Sequence, residues 1–133
     1  MGCAATTPRT PRSAVFPASL CEDCAMVLVV FRSRARPDGD VAEYEKRSRR
    51  MHKLVQQHPG FISIESFETP DGEEVSLELF ESDESVTAWR ANPEHREVQR
   101  WAREEFYSWY SVQASEVVRS YEVDLMAADK ATA

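Results

Sequence analysis

The chain has 133 residues, 42% of them hydrophobic and 29% charged, which is enough for one domain to bury a core without disulfides or metal. Its charge is uneven: residues 1–21 hold Arg9 and Arg12 and no acid, leaving 14 basic against 23 acidic side chains, a net of −9, in the remainder. Nucleic acid and anionic membrane surfaces both demand concentrated basic charge, so neither is an expected partner.

Residues 1–25 are rich in Pro, Ala, Thr and Ser and lack periodicity, which reads as a disordered leader. It holds all three cysteines, Cys3, Cys21 and Cys24. The single C-x-x-C has no second pair to complete a zinc site, and no secretory signal opens the chain, so a reduced cytoplasmic setting is expected. "MGCAAT" fits the loose N-myristoylation pattern, a match that a short Ala/Thr-rich segment produces easily by chance.

The stretch Met26–Arg34 is a strand with apolar side chains on both faces. "PDGD" turns the chain, Asp40 caps a helix running from Val41 to about Gln57, and Val41, Tyr44, Ser48, Met51 and Val55 form its core-facing stripe. "HPG" ends it. "FISIESF" and "EVSLELF" are strands joined at Asp71-Gly72, a hairpin signal. Ser82 or Asp83 caps a short helix carrying Val86 and Trp89; Asn92-Pro93 starts a longer one, predicted to reach Tyr110. "SVQASEVVRSYEV" (residues 111–123) is the last strand. The order βαββαβ is the ferredoxin-like α+β unit, a four-stranded antiparallel sheet with helices on one face. This domain takes residues 26–125, and residues 126–133 read as a flexible tail. Since helices shield only one face of a strand that is apolar on both, a second copy of the sheet is expected on the other, giving a homodimer.

From Met26 to Val123 the chain resembles the antibiotic biosynthesis monooxygenase (ABM) family, whose fold is a dimeric α+β barrel. The resemblance is carried by "VVFRSRARPDG", "HPGFISIESFETPDGEEVSLELFES", "AWRANPEHREVQRWAREEFYSWY" and "VVRSYEV" in this order and spacing. It implies a cavity between helices and sheet in each subunit. It also implies one of two activities: oxidation of electron-rich aromatics without metal or flavin, or haem degradation. Haem-degrading members use an asparagine on the first strand, a tryptophan on the short helix and an axial histidine on the next; the matching positions are Arg32, Trp89 and Gln99. Only the tryptophan matches, and glutamine does not replace an axial imidazole, which disfavours haem. His95, one turn earlier than Gln99, could supply the axial imidazole instead, but reads rather as an exposed first-turn histidine. Quinone-forming members carry an asparagine and a tryptophan on the third strand and a tyrosine on the following helix; here these positions hold Ser76, Phe80 and Val86.

Strand alternation makes its own suggestion. If Ser76 and Phe80 face the cavity, so does Glu78 between them. Desolvation there would raise its pKa and suit it to take a proton from a phenol; in the competing arrangement Glu78 pairs with Arg119 or Arg103. Trp89 on its short helix is read as bordering the pocket, where its indole N–H finds a partner. Arg103, Phe106 and Tyr107 complete the substrate-facing candidates, with Val98, Ala102, Phe106 and Trp109 expected on one helical stripe. Neither a Gly-rich nucleotide loop nor a metal-ligand spacing is present in the sequence, so no cofactor is expected. The leading reading is a cofactor-independent monooxygenase acting on a hydrophobic aromatic small molecule (a phenol, anthrone or hydroquinone). A non-catalytic dimeric binder of a hydrophobic metabolite is the first alternative, and a haem-binding or haem-degrading protein the second.

Overall fold

The structure is a computed structural model that describes residues 25–127. Residues 1–24 of the expected leader, with all three cysteines, lie outside the described residues, as does most of the expected tail.

The elements run β1 (Val27–Ala35), α1 (Val41–Val55), β2 (Phe61–Glu68), β3 (Glu74–Phe80), α2 (Asp83–Arg90), α3 (Pro93–Trp101) and β4 (Tyr107–Glu116). Local sequence sets most of their ends. Asp40 accepts from the Glu43 N–H to cap α1. Ser82 and Ser85 form a reciprocal capping box on α2. Asn92 accepts from the Glu94 and His95 N–H groups to cap α3, with Pro93 at its first position. Gly72 turns the β2–β3 hairpin and Gly60 the entry to β2, both with positive φ.

The sheet is antiparallel in the order β2-β3-β1-β4, the ferredoxin-like arrangement expected. On one face the core gathers Val27, Val29 and Phe80 from the sheet with Met51, Val55, Val86 and Trp89 from the helices, and Leu54, Phe61 and Val98 pack against it. The opposite face carries Leu28, Val30, Leu77 and Leu79 in paired register, flanked by Phe67 and Trp109, which are 53% and 42% exposed. The helical core residues all lie on the first face, so this second apolar face takes no helix.

Two element boundaries differ from expectation. The last helix does not reach Tyr110. After α3 the chain makes one π-helical turn, Ala102–Phe106, and the Tyr107 N–H bonds back to the Ala102 carbonyl. Tyr107, Trp109 and Tyr110 then belong to β4, because the free edge of β1 offers these aromatic residues a hydrogen-bond ladder that a longer helix would leave empty. Trp109 therefore does not share a helical stripe with Val98, Ala102 and Phe106. At its far end β4 stops at Glu116. The Val117 N–H still reaches the Met26 carbonyl, and from there to Val123 the chain has no regular structure.

Candidate active site

Register places the candidate residues in rows across the helix-side face. Ile64, Glu78, Val29 and Ala114 stand in one row; Ser66, Ser76, Phe31 and Val112 stand in the next. Towards one end Phe80 and Val27 are sealed beneath Val86 and Trp89. Towards the other, Tyr44 from α1 reaches Glu74, donating at 2.8 Å to its Oε1. Between these two contacts α1 presents Ser48, a small side chain in a stripe otherwise built from Tyr44, Met51 and Val55. Cover is thinnest there: Ile64, Glu78, Ser76 and Phe31 are half-buried, and Ser66 and Val112 are exposed. Glu78 thus stands half-buried in the middle of this face with hydroxyls beside it, since Ser66 Oγ and Ser76 Oγ lie 2.8 Å apart.

Glu78 is the unusual group. Among the described residues no hydrogen bond or ion pair reaches its carboxylate, and burial alone pushes its pKa up to about 7. Neither Arg119 nor Arg103 pairs with it. A carboxyl poised near neutrality, without a resident cation, can hold or release a proton at ordinary pH.

Tyr107 and Tyr44 form the wall next to it. Their hydroxyls lie 3.5 Å apart, and burial pushes Tyr107 up to about 12, with a further upward push from Glu74 and Glu78. The Tyr44 phenol is raised further still, chiefly by burial. Phe106 is buried and stacks on Tyr44 at a ring separation of 4.2 Å, and Phe31 stacks on Tyr110 at 5.8 Å. Tyr44 and Glu74 are contributors that sequence reasoning missed as a pair. The signal was present, since Tyr44 sits on the α1 stripe and Glu74 shares the parity of Ser76 and Glu78.

The other candidates lie elsewhere. Phe80, Val86 and Trp89 pack in the closed core, Phe80 with no exposed surface. Trp89 contacts two histidines, stacked on His95 at 4.3 Å and tilted against His58 at 5.5 Å. His95 is therefore not an exposed histidine: the turn between α2 and α3 folds it onto the indole. Its Nδ1 is buried without a hydrogen-bond partner among the described residues, and burial pushes its pKa down to about 4. Arg103 is exposed on the π-helical turn, where its carbonyl accepts from Arg36 Nη2 at 3.1 Å, and it faces an open surface depression shared with Arg90, Arg96 and Arg100. Arg32 alternates away from the helix-side residues Phe31 and Ser33, binding Glu73 and covering the Trp109 ring on the other face. Its place thus differs from that of a cavity-lining strand residue. Among the described residues no group of three or more His, Cys, Asp or Glu is arranged to hold a metal, and no helix is long and apolar enough to cross a membrane.

Comparison with known proteins bears on this geometry. The family model described as antibiotic biosynthesis monooxygenase matches residues 26–101. YqjZ, an uncharacterised protein of Bacillus subtilis (strain 168), is 29% identical over 91 residues, covering 68% of this chain and 78% of that protein. Rv0793 from Mycobacterium tuberculosis has a similar structure, with a TM-score of 0.66 at 21% identity, covering 74% of this chain and 100% of that one. SnoaB from Streptomyces nogalater, a cofactor-independent oxygenase, has a TM-score of 0.61 at 16% identity, covering 72% of this chain and 96% of that one. At these identities the two structures establish a shared fold. From β1 through α3 the sequence match and the βαββαβ sheet agree: the chain belongs to the antibiotic biosynthesis monooxygenase family.

Proposed function

We propose that this protein is a cofactor-independent monooxygenase for a hydrophobic, electron-rich aromatic substrate, with Glu78 as the proton acceptor. The observation that carries the reading is the unpaired, desolvated Glu78 carboxyl, half-buried on the helix-side face of the sheet. An anthrone-type substrate gives one proton to Glu78 and leaves a delocalised carbanion. The carbanion passes an electron to dioxygen, and the two radicals combine to form a carbon-bound peroxide. Its O–O bond breaks as the carbon loses its second hydrogen as a proton; one oxygen stays as the carbonyl and the other departs as water, taking up protons that include the one Glu78 held. The protein's part is to exclude water, hold the ring and accept the proton. Phe31, Tyr107, Tyr110 and Ser76 supply the walls.

The same reading includes a homodimer in which a second copy covers the apolar face of Leu28, Val30, Leu77 and Leu79. A non-catalytic binder is favoured by a separate observation: Phe80, Val86 and Trp89 fill the closed core, so that among the described residues the chemistry falls to Glu78 with little support.

Oxygen uptake with a panel of anthrones and hydroquinones separates the two. Catalysis predicts uptake above the protein-free rate for at least one compound, abolished in Glu78→Gln. Uptake at the protein-free rate for every compound, with binding retained, leaves the binder.

A further inference from the structure

The outer side of the helix layer concentrates charge opposite in sign to the chain as a whole. The molecule is net −7, yet the open depression between α2, α3 and the π-helical turn gathers Arg90, Arg96, Arg100 and Arg103. Its volume is about 700 Å³, and Glu97 is the one acid that lines it among the described residues. Arg100 is already engaged: its Nη2 donates to Glu97 Oε2 at 2.5 Å and its Nη1 to Glu104 Oε1 at 3.0 Å. The side chains of Arg90, Arg96 and Arg103 are exposed and meet no acid or other acceptor among the described residues. Glu94 opens α3 but turns away to Arg50 of α1, accepting from its Nη2 at 2.9 Å. Four guanidinium groups thus face two carboxylates, and the excess positive charge repels itself. A hollow lined by one sign of charge draws in counter-ions.

We propose that this depression binds a small polyanion, a phosphate monoester or diphosphate group, held by Arg90, Arg96 and Arg103. A planar guanidinium matches two phosphate oxygens, and a group with two or more charges satisfies several such forks at once, which a single carboxylate does not. The main chain beneath the forks is fixed. Arg36 donates from Nε to the Tyr107 carbonyl at 3.0 Å and from Nη2 to the Arg103 carbonyl at 3.1 Å, pinning the π-helical turn. The Arg96 N–H bonds to the Asn92 carbonyl at 2.9 Å, and just after Arg90 the Ala91 N–H bonds to the Thr87 carbonyl at 3.1 Å. Binding therefore orders three side chains and no backbone. No described strand residue lines the depression, so it is separate from the Glu78 face. Its walls are charged rather than aromatic, so its ligand differs in class from the hydrophobic substrate proposed there. The exposed Lys46, Arg49 and Lys53 are also basic, but they run along the convex outer side of the single helix α1.

The test titrates the full chain with pyrophosphate at about 0.15 M salt, by calorimetry and by the rise in melting temperature that binding produces. One site per chain with a sub-millimolar Kd is expected, with acetate inactive as the control anion. Arg96→Gln/Arg103→Gln should weaken binding by roughly tenfold or more. Far-UV circular dichroism should not change, because both side chains are exposed and unpaired. Lys46→Gln/Lys53→Gln removes the same charge from α1 and should leave the affinity within about twofold, as should Glu78→Gln. Equal losses in the two double variants mean that net charge alone attracts the anion, which overturns the site. A loss confined to Glu78→Gln places the anion on the sheet and overturns it as well. Neither heat nor a rise in melting temperature with pyrophosphate removes the proposal. So does a poly-glutamate peptide that binds through Arg96 and Arg103 while pyrophosphate fails to displace it, since the surface then serves an acidic protein.

Discussion

Tyr44 donates its phenolic proton to Glu74 Oε1 across 2.8 Å, tying α1 to the start of β3. The single hydroxyl proton is committed to the carboxylate, so the Tyr44 oxygen is left to accept from Tyr107. Tyr44→Phe keeps the stacking on Phe106 and removes only the hydroxyl's bonds. A hydrogen bond to a charged group contributes about 1.5–3 kcal/mol, so urea denaturation should show a loss of about that size. In a double-mutant cycle with Glu74→Gln, most of the loss should appear as coupling. Independent, additive losses would mean that the bond contributes nothing.

Glu78 should cost stability at neutral pH. Its folded pKa of about 7 lies above the ordinary carboxyl value of 4.5, so the folded state holds its proton more tightly than the unfolded chain. The cost is absent below pH 4.5, grows as pH rises towards 7, and is complete above it. Glu78→Gln is therefore expected to stabilise the fold by up to about 3 kcal/mol at about pH 8 and by almost nothing at about pH 4. Chemical denaturation at the two pH values measures the difference. Equal effects at both would place Glu78 in water.

His95 works with the opposite sign of charge. Its folded pKa is depressed to about 4 from 6.5, so stability is complete above 6.5 and falls as pH drops through that window. The loss approaches about 3 kcal/mol near the bottom of the window, as the cation must form beside the Trp89 ring or unfold the helix pair to reach water. His95→Gln should flatten the slope between pH 6.5 and 4, read from denaturation midpoints. Tryptophan fluorescence should report the loss of the Trp89 stack in the same window.

Gly60 and Gly72 share a positive φ but not the same surroundings. A Cβ at Gly60 would stand 2.5 Å from Ser85 Cβ and 2.7 Å from Ser85 Oγ, inside the capping box of α2; at Gly72 it would meet nothing within 4 Å. Gly72→Ala should cost about 1 kcal/mol for backbone strain alone. Gly60→Ala adds the clash and the disturbed cap and should cost about 3 kcal/mol or more. Thermal melts of the two variants side by side check the ranking.

The legible parts of the fold were the locally encoded ones. Asp40, Ser82 and Asn92 cap their helices through bonds reaching two or three residues along the chain, and Asp71-Gly72 sets the hairpin within its own turn. Strand alternation likewise put Glu78 on the same face as Ser76 and Phe80. "EFYSWY" was ambiguous: Phe106, Trp109 and Tyr110 fit helical spacing as well as they fit a strand. The unpaired edge of β1, distant in sequence, decided for the strand.

The sequence alone determined the order of elements and the side of the sheet on which each strand residue stands, because capping, turn geometry and side-chain alternation act over a few residues. Only the tertiary structure decided how each side chain is surrounded. His95 became half-buried because α3 folds back over Trp89, and Glu78 became desolvated on the helix-side face with no cation paired to it. Burial and pKa depend on neighbours contributed by distant segments, and no local pattern specifies them.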